Sequence, residues 1–226
     1  MKKKNSKKLF IIIGIIILSI FIIIFLKNNY KNLKTGNNMS NKTIKEIEEY
    51  ILNISSYEAK ISVTVESNKN TNKYVIEQKF NLPNISKQIV LEPANIAGME
   101  LIYDGKNLTI KNTKFNLNKV YEDYSCITEN YLCLETFINQ YKNSEESKIY
   151  EKDNEIILET NYKINKYIQN AKLYLNKETG NPTKMIINDV NQKDIVYILY
   201  NEIKINNLTK NDVLAFKLFD SNTKLY

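Results

Sequence analysis

The feature that most constrains this chain is an uncharged apolar run of eighteen residues, from Leu9 to Leu26. At a rise of about 1.5 Å per residue, a helix of this length reaches roughly 27 Å, close to the hydrocarbon thickness of a bilayer. Five lysines precede the run, at positions 2, 3, 4, 7 and 8, and positive flanks stay in the cytoplasm. The pattern predicts a cytoplasmic basic tail over 1–8 and a transmembrane anchor over 9–26, with the rest of the chain outside the cytoplasm.

The alternative interpretation of this run is a cleaved signal peptide. Signal peptides have a shorter apolar region, about 7–15 residues, which ends at a cleavage site of small residues. Here Lys27, Asn28, Asn29 and Tyr30 follow the run, and no cysteine near its end offers a site for lipid attachment. The sequence therefore favours an uncleaved anchor, joined by a polar linker over 27–42 to one domain over 43–226.

The charge of the chain is concentrated beside the apolar run. Residues 1–34 hold eight lysines and no acidic residue, which leaves 24 basic against 25 acidic residues in the remainder. A domain so close to neutral has no basic surface for a phosphate backbone. The balance argues against a nucleic acid as partner.

The residue types that usually carry catalysis are scarce. The chain contains no histidine, which excludes Ser-His and Cys-His pairs and imidazole metal ligands, and its five glycines form no phosphate-binding loop. Its acidic pairs fall on predicted polar faces or loops. The sequence therefore predicts a protein that is not an enzyme and that has neither a cofactor nor a metal site.

Cys126 and Cys133 are the only thiols. A disulfide is permitted outside the cytoplasm, but seven residues along one helix separate Cα atoms by about 10.5 Å, beyond the bridging limit of about 7 Å. A bridge would need a helix that begins after Cys126. Two buried or free thiols are the favoured state.

Two helices are predicted by apolar stripes. The first, over 43–54, begins at the capping box formed by Thr43 and Glu46, and its apolar residues are Ile44, Ile47, Ile51 and Ile54. The second lies near 128–142, and its stripe consists of Tyr131, Leu134, Ile138 and Tyr141.

The rest of the domain alternates between apolar and polar residues, as half-buried strands do. About ten strands are predicted, separated by short turns such as Asp104-Gly105. Short connections favour sequential antiparallel pairing, and a sheet of this size must curl. The predicted fold class is α+β, a curled antiparallel incomplete β-barrel with two or three helices, preceded by the transmembrane helix.

Five apolar residues are predicted on the concave face of this sheet, namely Ile61, Val63, Ile76, Phe80 and Leu101. They either line a cavity for a ligand or partner or pack as core under the helices. The open sheet also leaves two strand edges, which permit a homodimer through pairing or swapping.

The order of elements, with LIYDGKNL at 101–108 and LYLNKETGNPTK at 173–184, resembles the LolA/LolB-like superfamily of extracytoplasmic half-barrels, across residues 43 to about 218. The composition, rich in Ile, Asn, Lys and Tyr, is most similar to the clostridial GerS-type germination proteins. This resemblance implies a membrane-anchored partner or activator of a cell-wall amidase of the CwlD type, which modifies the spore cortex during sporulation. GerS proteins are lipoproteins, and this chain departs from them because it has no N-terminal lipid-attachment cysteine.

The same superfamily implies a second function, a carrier or sensor of lipid or lipoprotein acyl chains at the membrane surface. The expected location is the cell membrane, in a single pass, with the C-terminal domain outside the cytoplasm or in the intermembrane space of the forespore. No partner-contact residue of the family matches a position of this chain by motif.

Overall fold

The computed structural model describes residues 42–124, 130–162 and 167–215. The chain divides into two units, 1–38 and 39–226, and all described residues belong to the second unit. The predicted basic tail, transmembrane anchor and most of the linker lie outside the described residues. Within the three described ranges, no helix combines the length and apolar character needed to cross a bilayer.

The domain is built on one antiparallel sheet of eleven strands. Their bounds are β1 Ser56–Glu66, β2 Thr71–Asn81, β3 Ile85–Glu92, β4 Glu100–Tyr103, β5 Leu108–Asn112, β6 Leu117–Tyr121, β7 Lys148–Lys152, β8 Glu155–Asn161, β9 Ile168–Asn176, β10 Pro182–Asp189 and β11 Asp194–Ile205. The predicted α+β class with an antiparallel meander is confirmed. The predicted count of about ten strands omits β6.

The strand order is β6-β5-β4-β3-β2-β1-β11-β10-β9-β8-β7. The chain therefore runs from the centre to one edge over β1–β6, and from the other edge back to the centre over β7–β11. The two halves join where β1 pairs with β11, with Tyr57 opposite Ile205 and Val63 opposite Ile198. Such a sheet stays open, because β6 and β7 lie at opposite edges.

Three helices accompany the sheet, α1 Ile44–Leu52, α2 Leu134–Asn143 and α3 Lys210–Leu214, together with a short 3-10 helix, Thr113–Phe115. The predicted capping box at α1 is confirmed, since Thr43 and Glu46 satisfy each other's backbone amide groups. Helix α2 begins later than its predicted start at 128. The side chain of Asn130 accepts a hydrogen bond from the backbone N–H of Leu132, and this local turn competes with helix.

The hydrophobic core lies between one face of the sheet and helices α1 and α2. Ile47 and Ile51 of α1 and Leu134 and Phe137 of α2 are fully buried there. Among the described residues, the sheet strands that contribute buried side chains to this core are β1, β2 and β8–β11. The two helices therefore cover only part of the inner face of the sheet, which we call the concave face.

Candidate functional site

The register of β3–β6 continues the concave face beyond the helices. Side chains that face the core on β1 and β2 have cross-strand neighbours on the same side of every following strand. One row of neighbours is Phe80, Ser86, Tyr103, Leu108 and Tyr121, and the next is Gln78, Gln88, Leu101, Ile110 and Lys119. The concave face thus changes from buried core at β2 to open surface at β6.

The open part of the face carries a contiguous set of apolar side chains, which we call the apolar patch: Leu101, Tyr103, Leu108, Ile110, Leu117 and Tyr121. The first four are half-buried, while Leu117 and Tyr121 are 36% and 38% exposed. Apolar side chains without a cover on a sheet face commonly mark a binding surface. The patch is therefore the candidate functional site.

A buried polar seam separates the apolar patch from the core. The Nε2 group of Gln78 donates to Oε1 of Gln88 at 3.3 Å and to the carbonyl oxygen of Leu132 at 3.4 Å. Gln88 in turn donates from Nε2 to Sγ of Cys133 at 3.7 Å. These bonds attach the segment before α2 to β2 and β3.

Cys133 is a free thiol that is fully buried beneath α2. Burial raises its pKa well above the usual range, so the thiol stays protonated and is a poor nucleophile. Its predicted partner in a possible bridge, Cys126, lies outside the described residues. The position of Cys133 supports a packing role in the core rather than chemistry.

Tyr57 fixes the helix that borders the patch. Its ring stacks on Phe80 with 4.8 Å between centroids, and its hydroxyl oxygen accepts a hydrogen bond from the backbone N–H of Leu134 at 3.3 Å. Burial raises the pKa of Tyr57 well above its ordinary value. Burial likewise raises the pKa of Glu135, in the first turn of α2, to about 7. The N-terminal end of α2 is thus anchored to β1 at the border of the open face.

The turn between β4 and β5 shapes the middle of the patch. Oδ1 of Asp104 accepts hydrogen bonds from the backbone N–H groups of Lys106 and Asn107, at 2.8 and 2.7 Å, and these bonds lower its pKa. Gly105 has a φ of +100°, a conformation that glycine adopts readily. This turn places Tyr103 directly opposite Leu108. The motif that resembles the LolA/LolB-like half-barrels therefore builds the hairpin of the candidate site.

The five residues predicted on the concave face divide between core and patch. Ile61, Val63, Ile76 and Phe80 are between 0% and 7% exposed and pack in the core. Leu101 is half-buried and lies in the apolar patch. Whether any of them contacts a partner or ligand remains a prediction.

Sequence reasoning missed five of the six patch residues. Leu108 and Ile110 alternate with the polar residues Asn107, Thr109 and Lys111, so the period-2 pattern could have identified them. Tyr103 follows the apolar Ile102, which interrupts that pattern. Leu117 and Tyr121 gave no such signal, because all five residues of β6 are exposed.

The opposite, convex face of the sheet carries paired charges on β1, β2 and β11. Glu58 lies 3.7 Å from Nζ of Lys79 and 3.0 Å from Nζ of Lys204, and these lysines contribute to a lowered pKa of Glu58. A shallow cavity of about 330 Å³ beside them is lined mainly by charged residues, namely Glu58, Lys60, Glu77, Lys79, Glu202 and Lys204. In the described ranges, no group of three or more Cys, Asp or Glu residues is arranged to hold a metal ion. The convex face offers ion pairs that satisfy one another.

Comparison with solved structures finds chains that are similar to this one. An uncharacterized conserved protein from Thermus thermophilus is 11% identical, with 77% of this chain and 94% of that chain covered and a TM-score of 0.50. A chain from the complex of the CwlD amidase from Clostridioides difficile with the GerS lipoprotein is 27% identical, with 70% and 91% covered and a TM-score of 0.45. A LolA superfamily protein from Nitrosomonas europaea is 13% identical, with 76% and 98% covered and a TM-score of 0.41. No curated protein matches the chain.

Comparison with protein families gives a match over nearly the whole chain. The family described as sporulation protein YdcC-like matches residues 7–214. This range includes every strand of the sheet and the whole apolar patch. The chain belongs to the YdcC-like family of sporulation proteins.

Proposed function

We propose that this chain is a non-enzymatic binding protein of sporulating cells. It is anchored in the cell membrane by the apolar run over 9–26, and its half-barrel domain lies outside the cytoplasm. There it binds and activates a cell-wall amidase of the CwlD type that acts on the spore cortex. The GerS-type resemblance of the sequence supports an amidase as the partner. The family of the chain supports a role in sporulation.

The observation that carries this proposal is the apolar patch. An isolated domain gains free energy when it covers apolar surface, at about 25 cal/mol per Å² removed from water. Helices α1 and α2 supply that cover for the core, and among the described elements nothing equivalent lies over β4–β6. Tyrosine is enriched at protein interfaces because its ring is apolar and its hydroxyl is polar, and the patch contains Tyr103 and Tyr121. A protein partner suits such a surface.

The side-chain chemistry around the patch supports binding rather than catalysis. A catalytic site needs titratable or polarised groups held together at one place. Where the two rows of the open face cross β4–β6, the one charged side chain among the described residues is Lys119, and the described thiol, Cys133, is buried and protonated. Hydrolysis would thus belong to the partner enzyme, and this chain would position or stabilise it.

The acyl-chain carrier is the second candidate, and the apolar patch is also the feature that would favour it. An acyl chain is best held in an enclosed apolar cavity. Ile61, Val63, Ile76 and Phe80 instead pack against helices and neighbouring strands. The open surface fits a broad protein contact better than an enclosed chain.

The proposal is tested by capturing the tagged full-length chain from sporulating cells after solubilisation in mild detergent. The membrane fraction is expected to contain the chain, and a cell-wall amidase is expected to co-purify with it. Replacing Leu117 with Asp should abolish this recovery, because the side chain lies in the apolar patch. Leu199→Asp is the matched control, since Leu199 is 49% exposed and lies on the convex face.

An activity measurement completes the test. The purified amidase should release more product from cortex peptidoglycan when the wild-type chain is present than when Leu117→Asp replaces it. Equal capture of the amidase by both variants would contradict the assigned site. Recovery of fatty acids and of no wall enzyme would overturn the proposal in favour of the carrier.

A further inference from the structure

The two edge strands of the sheet differ in the side chains that flank their free backbone. On β7, three of the five residues are charged and exposed, namely Lys148, Glu151 and Lys152. Charged side chains at an edge discourage pairing with another strand. On β6, Leu117, Val120 and Tyr121 are exposed apolar residues instead. The β7 edge, with three exposed charges against one on β6, is therefore the more strongly protected of the two edges against the addition of a strand.

The outer side of β6 has no partner strand among the described residues. All five of its residues are exposed, and it pairs on one side with β5. Within the described ranges, its outer N–H and C=O groups therefore form a row of donors and acceptors without a backbone partner. Phe115, in the short helix just before the strand, is 58% exposed and extends the apolar surface at this edge.

Basic charge accompanies this apolar edge. Nζ of Lys119 lies 4.7 Å from the centroid of the Tyr121 ring, which places a cation at the centre of the strand. Lys114 is exposed at the end of the preceding short helix. Along 113–121 the charged residues are these two lysines; two acidic residues, Glu122 and Asp123, follow the strand, and Asp123 lies 3.2 Å from Nζ of Lys106. The edge is therefore complementary to an extended segment that carries negative charge.

A second copy of this chain fits the same edge poorly. Antiparallel pairing of two β6 strands in the register of full overlap would place Leu117 opposite Tyr121. The same register would place Lys119 directly opposite Lys119 of the other copy. Like charges directly opposite one another destabilise a strand pair.

From this geometry we propose that β6 accepts an extended, acidic segment of the partner protein as a twelfth strand. Backbone hydrogen bonds along Leu117–Tyr121 supply the pairing, an acidic side chain faces Lys119, and apolar side chains extend over the apolar patch. Addition of a strand to a free edge is a recurrent mode of peptide recognition. The identity of the partner rests on the proposed function, whereas the mode of binding rests on the edge itself.

Hydrogen exchange of the full-length chain in detergent micelles tests the strand addition. Adding the CwlD-type amidase should slow exchange of those amides at 117–121 that face away from β5 by about tenfold or more, because paired backbone groups open rarely. Amides at 148–152, on the other edge, should exchange at unchanged rates. Unchanged exchange at 117–121 in a saturated complex would overturn the inference.

Substitutions at two exposed positions test the chemistry of the proposed strand addition. Val120→Lys protects the edge with a charge, and Lys119→Glu reverses the charge that the segment faces; each should weaken binding about tenfold or more, equivalent to about 1.4 kcal/mol. Lys152→Glu on β7 is the matched control and should bind as wild type. Thermal unfolding of all three variants should stay at the wild-type temperature.

The outcomes separate the two proposals. If the wild-type chain fails to bind the amidase, the proposed function is wrong. If it binds, but Val120→Lys binds equally well, the proposed function stands and the strand addition is wrong. Concentration-dependent protection of 117–121 in the chain alone would assign the edge to a second copy and would also overturn the inference.

Discussion

The phenol of Tyr141 on α2 donates a hydrogen bond to the carboxylate of Glu48 on α1, with 2.6 Å between Oη and Oε1. Tyr141 is 6% exposed, and burial raises its pKa above the usual range. The bond joins the two helices that cover the core. It is a charge-assisted contact between elements that are far apart in the sequence.

Removing this bond should destabilise the domain. We expect Tyr141→Phe to lower the free energy of unfolding by about 1.5–2 kcal/mol, because hydrogen bonds to charged groups are stronger than neutral ones. Urea unfolding followed by circular dichroism measures the change. Tyr150→Phe, which removes a longer bond of 3.1 Å to Glu159 on the convex face, should have a smaller effect. Equal effects would argue against a special role for the helix contact.

Phe80 and Leu101 should respond differently to truncation, although the sequence placed both on the concave face. Phe80→Ala removes a ring that is 1% exposed and stacked on Tyr57, so a loss of about 3–5 kcal/mol is expected. Leu101→Ala removes a half-buried side chain of the apolar patch and should cost about 1 kcal/mol. Thermal unfolding and partner capture distinguish the two variants. Similar losses of stability would contradict the division between core and patch.

Glu135 should make stability depend on pH in the neutral range. Its pKa is about 7 in the folded domain, raised from 4.5 by burial. The folded state therefore holds a proton that the unfolded state releases, and stability falls as the pH rises from 4.5 to 7. Glu135→Gln should remove this dependence and should stabilise the domain by about 1 kcal/mol at pH 8, a value reduced for solvent screening.

The control for this prediction is the same substitution at low pH. Below pH 4.5 the carboxyl group is protonated in both states, so Glu135→Gln and wild type should unfold at the same urea concentration. The difference in unfolding free energy between the two proteins separates the contribution of Glu135 to the pH dependence from the contributions of other titrating groups. A difference that stays constant between pH 4 and pH 8 would contradict the assignment.

Asp104 should stabilise the hairpin of the patch through its acceptor oxygen. Asp104→Ala removes two hydrogen bonds to backbone N–H groups and should cost about 1–2 kcal/mol. Asp104→Asn keeps an acceptor and should retain most of the stability. The pKa of Asp104 is lowered from 3.8, so the advantage of wild type over Asp104→Asn should be present above that pH and should vanish as the pH falls through the folded value. Equal unfolding midpoints for Asp104→Ala and wild type would contradict the role of the turn.

The architecture was predictable where local patterns and long-range packing agree. Strand β1 alternates cleanly because one of its faces is buried along most of its length, and helix α1 follows from its capping box and from Ile47 and Ile51. Strand β6 was not predictable, because an edge strand exposed on both faces has no buried side to impose alternation. Helix α2 was predicted too long, since propensity and periodicity gave no weight to the turn at Asn130.

The candidate site was predictable only in part. Alternation along a strand indicates which residues share a face, and it placed Ile61 and Leu101 on the same one. It does not indicate how far a helix extends across that face. The division between core and patch depends on where Gln88 bonds to Cys133 and where Tyr57 holds α2, and these contacts join residues 45 and 77 positions apart.

The pairing of β1 with β11 has a consequence for how the domain is made. Strand β1 has no partner on its β11 side until residues 194–205 have been synthesised. The middle of the sheet is therefore completed last. Contacts between such distant segments slow folding. A premature stop codon after Asn191 would therefore remove the central seam of the molecule and not a terminal appendage.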